Sequence, residues 1–257
     1  MSESDYSFIR VIGEGCMGKV ILARHKEDRK LYAIKVINKD WASKQREIEH
    51  TLSERNILAS MGRDHPPFLI VMHHSFQTKT DLYFVLDYCP GGDLATQLTQ
   101  RRTLPIADAR FYAAEIIVGL SALHQRGVIY RDLKPENILI DRDGHVVLTD
   151  FGLSKQLSKS STTLTFCGTA EYLAPETLCG VEYTYAVDWF SLGSLIYEML
   201  VGVVRKLIGN VALLLLCCFF VDIGFGSLFC NFFAWLSQLF ATFSSTFPPF
   251  FPLLTFP

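Results

Sequence analysis

Tyr130-Arg131-Asp132-Leu133-Lys134-Pro135-Glu136-Asn137, followed by Asp150-Phe151-Gly152, is the stretch on which the reading of this sequence turns. Short strand-type runs between the two segments flank Asp141-Arg142-Asp143-Gly144, a tight-turn sequence. These residue types suit phosphoryl transfer, which asks for positioning and charge stabilisation more than covalent help. A carboxylate has to orient the attacking hydroxyl, oxygen ligands have to hold magnesium, and a cation has to meet the developing negative charge. Asp132, then Asn137 with Asp150, then Lys134 supply each in turn. Magnesium takes few protein oxygens beside substrate phosphates, so two side chains suffice. An Asp-rich surface turn, the plainer alternative, does not explain why all the spacings agree.

Upstream, Gly13-Glu14-Gly15-Cys16-Met17-Gly18-Lys19-Val20 fits GxGxxGxV. Glycines let backbone N–H groups approach phosphate oxygens without a Cβ in the way. The run lies between the strand-like stretches Tyr6–Ile12 and Val20–Arg24, whereas a dinucleotide fingerprint needs a helix after its glycines. Lys35 falls within the apolar run Leu31–Ile37, and Glu54 within Ser53-Glu54-Arg55-Asn56 on a predicted helix over 44–61 that stops at Gly62. Read singly, Lys35 is an edge-strand lysine with a snorkelling head and Glu54 a surface acid. Read together, they form a phosphate-reaching cation held by a carboxylate.

Two further strands are predicted around 68–76 and 82–87. Beyond Gly91-Gly92 the pattern turns helical: Ala109, Ala113, Ile116, Leu120 and Leu123 form an amphipathic stripe ending before Gly127. Residues 187–200 are apolar nearly all round, the mark of a buried helix. The fold class expected is α+β with two lobes, a β-rich lobe over 1–88 and an α-rich, incomplete lobe over 89–202, joined near Asp87–Gly92. An apolar tail occupies 203–257.

The chain has 257 residues with 24 Lys+Arg against 26 Asp+Glu. A net charge of −2 gives no electrostatic reason to expect nucleic acid as a partner. Seven scattered cysteines without a CxxC pair read as reduced intracellular thiols rather than a disulfide framework or zinc site. The N-terminal MSESDYSFIR lacks the apolar stretch of a secretory signal. His65, His73, His74 and His124 invite a metal reading, which their scattered placement disfavours.

With these motifs in order, the sequence resembles the eukaryotic serine/threonine protein kinases of the AGC group. Lys134 resembles the serine/threonine class. Tyr130 in place of the usual histidine, with Thr165-Phe166-Cys167-Gly168-Thr169-Ala170-Glu171-Tyr172-Leu173-Ala174-Pro175-Glu176, is similar to that group. Leu22-Ala23-Arg24-His25-Lys26, Ser75-Phe76-Gln77-Thr78 and Ala109–Ile116 resemble the serum- and glucocorticoid-regulated kinase and protein kinase B branch. The resemblance covers roughly residues 6–200.

It implies ATP and Mg2+ as cofactors, with ATP bound by Ile12, Gly13, Glu14, Gly15, Cys16, Met17, Gly18, Lys19 and Val20. Lys35 would contact the α/β-phosphates while paired with Glu54. Leu86 would sit behind the adenine, with Asp87–Cys89 as hinge. Asp132 would be the catalytic base, with Lys134 beside it, and Asn137 and Asp150 the metal ligands. Thr169 would settle the substrate near Asp132. Thr165 matches the activation-loop phosphosite, where phosphate from an upstream activating kinase would be gripped by Arg131. Asp93, Glu136 and Glu198 match acids that select basic, arginine-containing protein substrates. The implied location is cytoplasmic or nuclear.

The family pattern stops near Gly202, where a Pro-Pro-Phe turn, further helices and a regulatory extension are expected. Glu176 thereby loses the later arginine that it pairs with in the family. Residues 207–257 carry one charged side chain, Asp222, and 12 of the 20 phenylalanines. Trp189, Phe190, Leu192, Leu195 and Ile196 are expected to lie half-covered, forfeiting on the order of 5–10 kcal/mol. The tail has three readings: a membrane span over Ile223–Thr242 preceded by Arg205 and Lys206, makeshift cover for helix 187–200, or an unspliced or frame-shifted end prone to aggregate. Departure at a family motif, without helical or strand periodicity, favours the last. A membrane-tethered kinase stays a minority alternative.

Overall fold

Three strands rich in β-branched and aromatic residues open the chain: β1 (Tyr6–Gly15), β2 (Gly18–His25) and β3 (Leu31–Asn38). In the computed structural model, which describes residues 1–15, 18–44, 47–62, 64–157 and 162–202, they join two later strands. With β4 (Met72–Gln77) and β5 (Asp81–Asp87) they form an antiparallel sheet of order β1-β2-β3-β5-β4.

Residues directly opposite each other across a sheet share a face. The register sets Val20 against Lys35 and Lys35 against Phe84, and in the next row but one Leu22 against Ala33 and Ala33 against Leu86. These residues line one face. The other is apolar and aromatic: Ile21, Ala23, Ile34, Val36, Tyr83 and Val85 pack with Tyr6 in one buried cluster. Period-two alternation therefore puts Lys35 on the opposite side of the sheet from the aromatic cluster.

The helix expected over 44–61 is two helices, α1 (Lys39–Lys44) and α2 (Ile48–Met61). Asn38 at the end of β3 accepts the Trp41 N–H on Oδ1 at 2.9 Å, so a short helix is capped directly off the strand. The strand expected over 68–76 starts only at Met72. The cause is a rival partner: Leu148 donates its N–H to the Phe68 carbonyl, and the Ile70 N–H donates to the Leu148 carbonyl. Residues 68–70 are thus tied to the second half of the chain and lost to the sheet.

After the hinge come α3 (Leu94–Arg101) and α4 (Ile106–Gln125), then β6 (Val128–Ile129), β7 (Ile138–Ile140), β8 (Val146–Leu148) and β9 (Lys155–Gln156). β6 pairs with β9 and β7 with β8. The amphipathic stripe Ala109, Ala113, Ile116, Leu120 and Leu123 is fully buried, as its spacing requires. Beyond α5 (Pro175–Leu178), α6 (Ala186–Val201) ends at Gly202, whose φ of 84° closes the helix in the left-handed conformation.

Of the five side chains expected half-covered on α6, only Trp189 is so. Phe190, Leu192, Leu195 and Ile196 are buried, and Trp189 is half-buried. α6 packs on α4, its Trp189 meets the His124 ring edge-on, and Val187 and Phe190 pack with Ile129, Leu157, Ala174 and Tyr183. All three readings of the tail concern residues outside those described. Among the described residues no helix is long and apolar enough to cross a membrane.

Candidate active site

The glycine-rich run lies in the β1–β2 hairpin. Gly13 pairs with Val20, Glu14 with Lys19 and Gly15 with Gly18, while Cys16 and Met17 lie outside the described residues. A Cβ on Gly18 would fall 1.9 Å from the Val36 carbonyl oxygen, so no side chain fits where the hairpin meets β3. Ile12, Glu14, Gly15 and Lys19 are exposed on this hairpin, and Val20 is half-buried at the row that carries Lys35.

Lys35, Glu54 and Asp150 come together. Lys35 Nζ donates to Glu54 Oε1 at 2.7 Å and to Asp150 Oδ1 at 3.1 Å. Burial works to lower the Lys35 pKa, but the two carboxylates outweigh it and hold the ammonium well above its usual range. Burial pushes the Glu54 carboxyl up against the pull of Lys35. Burial also opposes ionisation of Asp150, yet Lys35, the Gly152 N–H and Lys134 hold its carboxyl below the ordinary value.

Asp132 has both oxygens engaged. Thr169 Oγ1 donates to Oδ1 at 2.9 Å, while Lys134 Nζ at 2.7 Å and Asn137 Nδ2 at 2.8 Å meet Oδ2. Lys134 also donates to Thr169 Oγ1 at 3.0 Å, closing a triangle. Asn137 spends its amide nitrogen on Asp132, on the backbone carbonyl as well as the carboxylate. The Thr149 N–H donates to the Asn137 carbonyl at 3.0 Å, which ties the segment before Asp150 to the loop of Asp132. Arg131 and Asp150 both adopt left-handed backbone, φ 70° and 58°, a conformation that costs side-chain-bearing residues about 1–3 kcal/mol.

At the hinge, Leu86 is buried behind Ala33, and Cys89 is half-buried with its thiol pushed up to about 12 by burial and the charges of Asp87 and Asp141. Gly91 sits so close to Ile140 that a Cβ would lie 2.7 Å from its carbonyl oxygen. Asp93 caps α3, its Oδ1 accepting the Thr96 N–H at 2.6 Å. Glu136 is exposed, and Glu198 accepts the Tyr172 hydroxyl. Burial raises the Glu198 pKa, and the charge of Glu136 adds to it. Thr165 is exposed, and the Tyr183 hydroxyl donates to its carbonyl at 2.5 Å. Arg131 donates to Leu153 O at 2.6 Å and reaches Tyr183 Oη at 3.4 Å, so it meets the Thr165 segment through Tyr183.

Several residues of the site were not singled out from sequence. Asp188, fully buried on α6, accepts the Tyr130 and Arg131 N–H groups at 2.9 and 2.8 Å and bonds His124 Nε2 at 2.7 Å. Its signal was a carboxylate in the first turn of a largely apolar helix whose other acid is Glu198. Lys155 donates to Thr163 Oγ1 at 2.9 Å, and Thr163 Oγ1 lies 3.2 Å from Thr165 Oγ1. His73 and His124 pair with Asp87 and Asp188. Among the described residues no cluster of three or more His, Cys, Asp or Glu is arranged to hold a metal by itself. Cys89, Cys167 and Cys179 are free thiols.

Residues 6–205 match the family model described as the protein kinase domain. Serine/threonine-protein kinase Sgk1 of Homo sapiens is 53% identical over 200 residues, covering 77% of this chain and 46% of that protein. The Sgk1 of Danio rerio is 52% identical over 200 residues, with the same shares of 77% and 46%. The chain thus spans less than half the length of the curated relatives it matches. A β-sheet lobe carrying Lys35 and Glu54, a helical lobe carrying Asp132, Asn137 and Asp150, and this match together establish the family: the chain belongs to the protein kinases, in the AGC group beside the serum- and glucocorticoid-regulated kinases.

Proposed function

We propose that the chain transfers the γ-phosphoryl group of ATP to serine or threonine hydroxyls in basic protein substrates. The observation that carries the reading is the Asp132 triangle: a carboxylate fixed by Thr169 and Lys134, in the loop that backbone bonding ties to Asp150. The acceptor oxygen attacks the γ-phosphorus, the bond to the ADP oxygen breaks, and the hydroxyl proton passes to Asp132. Lys134 offsets the charge that develops, and Lys35 holds the nucleotide phosphates while Glu54 holds Lys35.

The donor set suits Mg2+. Among the described residues the side-chain bonds of Asp150 fall on Oδ1 and those of Asn137 on its nitrogen, which leaves an oxygen of each for a hard cation. Asp150 and Asn137 would hold the ion, which would supply positive charge against the nucleotide phosphates. Asp93, Glu136 and Glu198 would meet substrate arginines, since the mutual repulsion of Glu136 and Glu198 favours a cation between them. Thr165 would receive phosphate from an upstream kinase, with Lys155 and Arg131 as the nearby cations. In this reading residues 1–88 and 89–202 are the two working lobes, 203–257 is an apolar tail that lies beyond the family match from residue 206 on, and the protein acts in the cytoplasm or nucleus.

Purified chain, labelled ATP and an arginine-containing peptide test the assignment. Transfer is expected and should vanish in Asp132→Ala; transfer that persists there removes Asp132 from its role. A second reading, nucleotide binding without turnover, has one observation in its favour. Glu176 Oε2 is buried with no partner among the described residues, and burial raises its pKa. Nucleotide-dependent thermal stabilisation without transfer is the outcome that would select it.

A further inference from the structure

β4 carries one residue more than β5 across a single step, for Met72 pairs with Leu86 and His74 with Val85. His73 is the extra residue of a β-bulge, a device that re-aims a side chain. Its Nε2 lies 2.6 Å from Asp87 Oδ1, and its ring meets the Tyr32 ring edge-on with centroids 5.1 Å apart. Tyr32 is the cross-strand partner of Asp87, and its hydroxyl donates to Asp28 at 3.1 Å. The Asp87 N–H donates to Val71 O at 3.2 Å.

Alternation along β5 puts the Asp87 side chain on the face of Val85 and Tyr83, away from Leu86 and Lys35. Whatever Asp87 offers a purine it offers through its backbone, and the side chain serves to fix that backbone where β5 gives way to the hinge. The His73–Asp87 pair is partly exposed on both sides, at 34% and 44%. Such pairs add little to global stability, so this one is placed to set local geometry.

We propose that His73 is a positioning residue for nucleotide binding, holding the Asp87 end of the hinge in register. The proposal rests on the nucleotide-site reading above. It is tested in the full 257-residue chain by calorimetric titration with MgATP, beside steady-state peptide phosphorylation. His73→Phe keeps a ring against Tyr32 and removes the bond; His73→Gln keeps a side-chain nitrogen donor. His73→Phe is expected to weaken ATP roughly fivefold in both Kd and KM, the effect of one lost hydrogen bond. Peptide KM and kcat should stay unchanged, and His73→Gln should recover most of the affinity. Wild-type affinity in His73→Phe overturns the proposal and leaves the nucleotide site standing. Parallel loss of kcat and melting temperature in both variants overturns it too, by making the role merely structural. A wild-type chain that binds no ATP defeats the nucleotide-site reading itself, and this inference with it.

Discussion

Asp188 Oδ1 accepts the backbone N–H of Arg131 at 2.8 Å, at a residue held in left-handed conformation with φ 70°. The same carboxylate takes the Tyr130 N–H at 2.9 Å and the His124 ring at 2.7 Å. A helix buried in the second lobe thereby straps the loop that ends in Asp132. Charge-assisted bonds of this kind are about twice as strong as neutral ones, enough to hold backbone strain of about 1–3 kcal/mol.

Asp188→Asn keeps the shape but turns one accepting oxygen into a donor that faces an N–H. The expected cost is about 1–3 kcal/mol in denaturant unfolding, with turnover reduced at least tenfold and peptide KM nearly unchanged. Asp188→Ala should cost more, about 3–5 kcal/mol. Wild-type turnover in Asp188→Asn would detach the strap from catalysis.

The sequence made Asp132, Lys134 and Asn137 legible because they fall within six residues of one another. Asp150 was legible through its own motif and is placed by the β7–β8 pairing and the Thr149–Asn137 bond. Lys35 and Glu54 were legible as a pair only through the surrounding motifs. Asp188 was not, since its partners lie 57 and 58 residues away, and inside an apolar helix its pattern speaks only of burial. The Tyr172–Glu198 and Tyr183–Thr165 bonds are hidden for the same reason. Periodicity located the strands and the long helices, but it missed that residues 68–70 bond to Leu148, because pairing partners are not a local property. It also overestimated the exposure of α6, by counting cover that was missing and not the cover that α4 and Tyr183 supply.

Lys35 and Glu54 are both largely buried, with side chains 16% and 4% exposed. Removing one partner of such a pair leaves a charge without compensation, at a cost of about 3–5 kcal/mol. Lys35→Met should therefore destabilise the chain as well as abolish detectable transfer. Adding Glu54→Gln should restore part of the stability and none of the activity. A double-mutant cycle on unfolding free energies should return a coupling of about 1–3 kcal/mol; additive costs would mean that the pair does not act as one.

Tyr172 donates to Glu198, whose carboxyl is pushed up by burial and by Glu136. Tyr172→Phe removes that donor and frees the carboxylate to turn. Selectivity for an arginine-containing peptide over its alanine counterpart should fall about three- to tenfold, through peptide KM rather than kcat. Glu198→Gln should fall further. Unchanged peptide selectivity in both variants would take Glu198 out of substrate recognition.

The last prediction concerns pH and lies away from the active site. His145 Nδ1 sits 2.6 Å from Glu115 Oε1, while Glu115 Oε2 accepts the Val146 N–H at 2.9 Å. The bond to Glu115 and its charge raise the His145 pKa above its ordinary 6.5. The folded chain therefore holds this proton more tightly than the unfolded chain does. The stabilisation is complete below about 6.5, the unfolded value, and is lost as pH rises through the folded pKa. Glu115→Gln keeps an acceptor for Val146 and removes the charge, so the His145 ring should titrate closer to 6.5 by NMR. The decline in urea midpoint across the window just above 6.5 should flatten in the same variant. A wild-type His145 resonance titrating at or below 6.5 would show that the Glu115 carboxylate does not stabilise the imidazolium.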